Sequence, residues 1–294
     1  MAGAFADLRD GLGRRPRLLV VPVLVFELLA FGGAIAYLVR LSFYESATTA
    51  AYRSGTWTLA NYAELVSNGL LQERLLFSLR VGAIVTACSL LLGFVYAYAA
   101  WRASGRKRTL LLGAVLVELL ISIVIKVYAW KPLLAPDGTV NDLLGGAGSV
   151  ELLNNEVGVV IGLVYSMLPY VVLPVYATLA TLDETLLEAA RELGASRARS
   201  VREIVVPQAM PGLLAGGVTA FAWSTVAYAA PSILGSTAER TIANEAGRFI
   251  NGTYDWPRAA ALSVEAILVV LLTTALAVGL VRRFGPRGAT EGLL

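Results

Sequence analysis

Long apolar runs separated by short polar stretches dominate the chain. They cover 18–43, 76–101, 110–130, 157–181, 212–234 and 259–281. Each is as long as the roughly 20 residues a helix needs to cross hydrocarbon. The pattern predicts an all-α, polytopic membrane protein with six transmembrane helices. A β-barrel would show alternating segments of about ten residues, and these are absent from the pattern. Pro132, Pro136-Asp137-Gly138 and Gly145-Gly146 mark 131–156 as a turn region. The stretches 44–75 and 235–258 read as polar loops, the second ending in Asp255-Trp256-Pro257. Pro169 and Pro174 interrupt the fourth run, and Pro207 with Pro211 should break the chain ahead of the fifth.

Composition narrows the class. Of 294 residues, 57% are hydrophobic and 15% charged, well below the charge of a soluble domain. Histidine is absent, and the one cysteine, Cys88, lies inside an apolar run. Histidine-based catalysis and zinc sites are therefore unavailable, and no disulfide can form within the chain. The net charge of +3 comes from clusters at the ends of apolar runs, which argues topology rather than nucleic-acid binding. Residues 1–17, the 102–108 loop, the 182–210 segment and the tail together hold 15 of the 24 basic residues. By the positive-inside rule these segments, including both termini, are cytoplasmic. The first run is too long for a cleaved leader and reads as an uncleaved span.

The segment 182–210 is charge-rich and helix-forming, unlike a plain connection. Thr181 and Glu184 have capping-box spacing, Asp183 is a competing N-cap, and a helix should start near Asp183. Leu186, Ala190 and Leu193 fall on one face as a ridge, Gly194 sits where a C′ glycine ends a helix, and Ser196 can cap a second. The residues alone leave three readings open: a partner surface, a helix lying on lipid, or a helix packed on its own bundle.

The same segment resembles the EAA loop of binding-protein-dependent ABC importers. That pattern is Glu-Ala-Ala, three residues, Gly, nine residues, Ile, one residue, Leu-Pro. Glu188, Ala189, Ala190, Gly194, Ile204 and Pro207 match it, with Val206 in place of Leu. Further stretches resemble permeases of the spermidine/putrescine branch: Thr58-Leu59-Ala60-Asn61-Tyr62, Val127-Tyr128-Ala129-Trp130, Gly162-Leu163-Val164-Tyr165, and Asp255-Trp256-Pro257 with Ala259-Ala260-Ala261-Leu262-Ser263. Relatives of this branch also carry ferric iron, thiamine and phosphonates.

The resemblance implies a type I ABC importer transmembrane fold with a cytoplasmic coupling helix. It implies an N-terminal segment over 1–72, a type-1 transmembrane domain over 73–281 and a tail over 282–294. The chain would be a permease subunit of a prokaryotic inner-membrane importer, most simply for a polyamine such as spermidine or putrescine. Its implied partners are a cytoplasmic ATPase dimer, a second and homologous permease, an extracytoplasmic solute-binding protein and the lipid bilayer. No Gly-x-x-x-x-Gly-Lys-[Ser/Thr] occurs in the sequence, so ATP and Mg are expected on the ATPase, with no enzyme activity or cofactor in this chain.

Ionisable residues inside spans are costly and point to function. Here they are Glu27, Glu118, Lys126 and Glu265. On one straight helix Glu118 and Lys126 would lie about 80° apart, with Lys126 snorkelling outward to the interface. Relatives in the resembled branch often carry Pro and Arg at these two positions. Glu118 and Glu265, with Trp223 and Tyr228 for cation–π contacts, are the candidate translocation path. A stand-alone channel or secondary transporter has no use for an EAA loop and usually shows internal repeats, which are not evident. An intramembrane enzyme would need catalytic groups that the sequence does not contain.

Overall fold

The computed structural model describes residues 17–47, 50–143 and 150–284. In hydrocarbon every backbone polar group must be bonded within the protein, which leaves helices as the solution for these apolar runs. Among the described residues the chain is helical, with a lone β-bridge between Glu45 and Arg53.

Helices α1 (Arg17–Glu27) and α2 (Gly33–Ser42) are joined through a π-helical turn, Leu28–Gly32. Then follow α3 (Ala60–Ser67), α4 (Gly69–Arg102), α5 (Gly105–Leu120), α6 (Ile123–Leu134) and α7 (Thr139–Leu143). The second half comprises α8 (Glu156–Ala180), α9 (Glu184–Glu192), α10 (Arg197–Ser200), α11 (Val206–Thr225), α12 (Ala229–Leu234), α13 (Ile242–Asn251) and α14 (Trp256–Phe284). Among the described residues five stretches are long and apolar enough to span a membrane: Val20–Ser42, Gly69–Arg102, Glu156–Ala180, Arg197–Thr225 and Trp256–Gly279. A sixth span is present only if α5 and α6 are counted together.

The core is the packing of α4, α8 and α11, around Val81, Val85, Val171, Val175, Ala209 and Ala220. Its closest approach is glycine-dependent. A Cβ at Gly212 would lie 2.5 Å from the Pro174 carbonyl oxygen, and one at Gly216 would lie 2.9 Å from the Val171 Cα. A second cluster joins Leu65, Leu71, Ile242, Phe249 and Leu262 and holds α13 against α14. Beside it Arg40 is sandwiched between Tyr44 and Trp57, 4.0 Å from each ring centre.

The structure corrects several expectations. The third apolar run is not one straight helix: α5 and α6 meet at 104°, because Ile121 and Ser122 adopt extended backbone. The helix that carries the fifth apolar run is not 212–234: it runs from Arg197 to Thr225, and Ala229–Leu234 is a separate helix. Pro207 and Pro211 do not break it. A π-helical turn, Val201–Val205, sits directly before Pro207 and shifts the hydrogen-bond register where Pro supplies no N–H. Pro169 and Pro174 likewise lie within the continuous α8. Two stretches read as loops contain helices, α3 and α13. Helix α13 is opened by a capping box between Thr241 and Asn244 and held by buried Glu245, which accepts from Arg248 Nε at 2.8 Å. Both chain termini and Gly145-Gly146 lie outside the described residues.

Candidate functional site: the coupling segment and the apolar cavity

The charged segment folds as its punctuation directs. Asp183, not Thr181, is the N-cap of α9, and its side chain accepts from the Thr185 N–H at 3.0 Å. Thr181 instead donates to the Thr178 carbonyl. The bonds from Thr185 hold the Asp183 carboxyl below its ordinary range. At the other end Gly194 adopts φ +82°, and Ala195 N–H bonds the Ala190 carbonyl at 2.9 Å, a Schellman ending. Ser196 then caps α10 by accepting from the Arg199 N–H.

This geometry sorts the side chains. Leu186 and Leu193 are 47% and 89% exposed, with Ala190 half-buried between them. Glu188 and Ala189 are exposed as well, whereas Ile204 and Pro207 are half-buried. Leu187 turns the other way and is 5% exposed, packed with Val205 into the main core. Sequence reading overlooked this anchor, although two adjacent leucines on a helix cannot face the same way. The result is a short helix fastened by one residue, with its apolar ridge uncovered.

Within the membrane region the predicted path residues separate. The 104° bend brings Lys126 Nζ to 3.1 Å from Glu118 Oε1, with both side chains largely buried. On a straight helix the two would be about 12 Å apart along the axis. Lys126 therefore does not snorkel; it neutralises Glu118 inside the bundle. Glu265 is half-buried on α14, and Glu27 is exposed on α1. Trp223 and Tyr228 do come together, flanking the break between α11 and α12, and line an apolar cavity of about 590 Å³ with Ile123, Met167 and Leu271. Neither Glu118 nor Glu265 lines it. Trp223 also stacks on Tyr170, with ring centres 6.0 Å apart.

The segment between α8 and α10 thus presents an anchored helix at one end of the bundle. Residues 89–289 match the family described as binding-protein-dependent transport system inner membrane component. The chain belongs to that family. It is 33% identical over 226 residues to the spermidine/putrescine transport system permease protein PotB of Salmonella typhimurium (strain SL1344), covering 75% of this chain and 78% of that one. It is 29% identical over 271 residues to the inner membrane ABC transporter permease protein YdcU of Escherichia coli (strain K12), covering 87% and 86%. Its fold is similar to a chain of a bacterial alginate ABC transporter in complex with an alginate pentasaccharide-bound periplasmic protein. There the TM-score is 0.76 at 16% identity, over 94% of this chain and 97% of that chain. As a member of this family the chain is a multi-pass inner-membrane permease component of an importer. The charged segment, Glu188 to Pro207, lies wholly within the matched region.

Proposed function

We propose that this permease passes a polyamine, of the spermidine or putrescine type, across the inner membrane under work done by a separate ATPase. The observation that carries the reading is the coupling segment: α9 is fastened through Leu187 while Leu186, Ala190 and Leu193 are left available to another chain. Force applied to the ridge is then delivered through Leu187 and Val205 to the α4, α8 and α11 core. Glu188, Ala189, Ala190 and Gly194 shape the docking helix, and Ile204 to Pro207 form its return into the span. In this reading ATP and Mg are held by the partner ATPase, a homologous permease completes the path, and an extracytoplasmic binding protein delivers the solute. Residues 73–281 form the transmembrane domain, and both termini and the coupling segment face the cytoplasm.

The solute class rests on the identity to the spermidine/putrescine permeases and on the chemistry of the cavity. Trp223 and Tyr228 offer ring faces to an ammonium group, worth about 1 to 2 kcal/mol when desolvated. Of the three acids inside the spans, Glu118 is paired with Lys126 and Glu27 is exposed on α1, while half-buried Glu265 has no hydrogen-bond or ion-pair partner among the described residues. Glu265 is thus the carboxylate available to a passing cation. The test is uptake of labelled spermidine by cells carrying the complete importer. Glu188→Lys and Gly194→Val should abolish uptake with the protein still in the membrane, and at matched protein levels Glu265→Gln should lower it more than Glu118→Gln. Full uptake by both coupling-segment variants would sink the docking reading. Uptake of a different solute by the parent, with none of spermidine, would move the same importer to another substrate.

A further inference from the structure

A second cavity lies against the coupling segment on the side away from its ridge, with a volume of about 1100 Å³. Four arginines line it: Arg102, Arg191, Arg197 and Arg202. They come from different parts of the chain. Arg102 is the last residue of the span α4, Arg191 lies in the last turn of α9, and Arg197 and Arg202 lie in α10 and the π-helical turn after it. All four are exposed. Among the described residues their charges are unmatched, since the ion pairs go to Arg53, Arg80, Lys126, Arg199, Arg248 and Arg258. No Asp or Glu lines the cavity.

Four like charges around one opening repel one another unless an anion sits between them. Guanidinium is the group best matched to a phosphate, through paired N–H donors. The depth of the site narrows the source of that phosphate. Arg102 ends a membrane span, where the helix leaves the hydrocarbon, and its guanidinium lies 5.7 Å from the ring of Trp101, which is itself packed in the core. The inner wall is apolar, formed by Tyr98, Leu187, Val205 and neighbouring valines. A soluble ion has no use for that wall, whereas an acyl chain lies along it while its phosphate stays at the rim. Basic pockets between membrane helices on the cytoplasmic side take anionic lipid headgroups.

We propose that this cavity binds the phosphate headgroup of an anionic phospholipid, which ties the coupling segment to the end of α4. The lipid bridges Arg102 to Arg191, Arg197 and Arg202 and so sets the position of α9 relative to the span. The inference goes beyond the importer reading and uses it only for the side of the membrane.

Lipid binding is measured on the purified importer complex by native mass spectrometry, with phosphatidylglycerol and phosphatidylcholine added in turn. The parent complex should retain phosphatidylglycerol in preference to phosphatidylcholine. Arg102→Gln and Arg202→Gln should each weaken that binding about fivefold, and the double change roughly 25-fold, from about 1 kcal/mol per arginine near a lipid surface. Arg199→Gln, which removes a residue paired with Glu203 outside the cavity, should bind as the parent does. The two single variants keep the test decisive if the double variant does not fold. Equal binding of the two lipids, or parent-like binding by both single variants, overturns the proposal. Displacement of the lipid by millimolar inorganic phosphate assigns the site to a soluble anion and overturns the lipid source. Loss of the ATPase from either single variant in lipid-free detergent assigns the arginines to an acidic protein surface and overturns it too. Because the readout is bound lipid, its failure is distinct from a failure of spermidine uptake.

Discussion

Gly194 adopts φ +82° with open space around the position of a Cβ, so a substitution there changes backbone preference and little else. A left-handed conformation costs most residues about 1 to 2 kcal/mol, and Asn much less. Uptake should therefore be retained best in Gly194→Asn, fall in Gly194→Ala and fall furthest in Gly194→Val, at equal protein in the membrane. Equal activity of all three would show that the turn does not set the angle of α9. The Glu118–Lys126 pair makes a second prediction at this scale. Removing one partner leaves a buried charge and should cost roughly 3 to 5 kcal/mol, whereas Glu118→Leu with Lys126→Met should recover most of that. Thermal unfolding of the detergent-solubilised protein reads both. The pair was not legible in the sequence, because helical spacing assumes a straight helix and neither Ile121 nor Ser122 is a helix breaker. The helix, caps and turn of the charged segment were legible, because caps and a C′ glycine act locally and are written in the chain.

At the scale of elements, α9 depends on its caps, since nine residues are too few for a stable isolated helix. Asp183 is the cap to test. Its carboxyl titrates lower folded than unfolded, so its contribution is complete above the ordinary value of 3.8 and fades as pH falls through the lower folded value. Across neutral pH the cap is intact. Asp183→Ala should therefore raise amide exchange through Glu184–Glu192 at neutral pH, while Asp183→Asn should not. The core helices obey a different constraint. With Gly216 2.9 Å from Val171 at the position of a Cβ, Gly216→Leu should overpack α8 against α11 and cost about 1 to 3 kcal/mol or more. Element boundaries were the least legible feature. Pro207 looks like a stop in the sequence, yet the wide turn before it lets the helix run from Arg197 to Thr225. Helix α13 was hidden in a stretch read as polar, although Thr241 and Asn244 form its capping box and Ile242, Ala246 and Phe249 its buried face.

For the molecule as a whole, the count of apolar runs gave the right architecture and the wrong detail at two of them, the bent third and the shifted fifth. Six runs become five long helices and one bent pair. The first span shows why composition alone leaves the assembly open: Phe26, Leu28 and Leu29 are 65%, 74% and 69% exposed. Such a surface needs lipid or another subunit to cover it. The core of α4, α8 and α11 is continuous with Leu187 and Val205, and the proposed function uses that packing to carry work from the exposed ridge to the helices beside the Trp223 cavity. The most direct measurement is co-purification of an ATPase with the intact chain and with a chain lacking 184–194, both extracted from membranes at matched levels. An ATPase that accompanies the intact chain and is absent from the deletion is the predicted result. An ATPase that remains with the deleted chain would contradict the assignment of α9 as the element that receives its work.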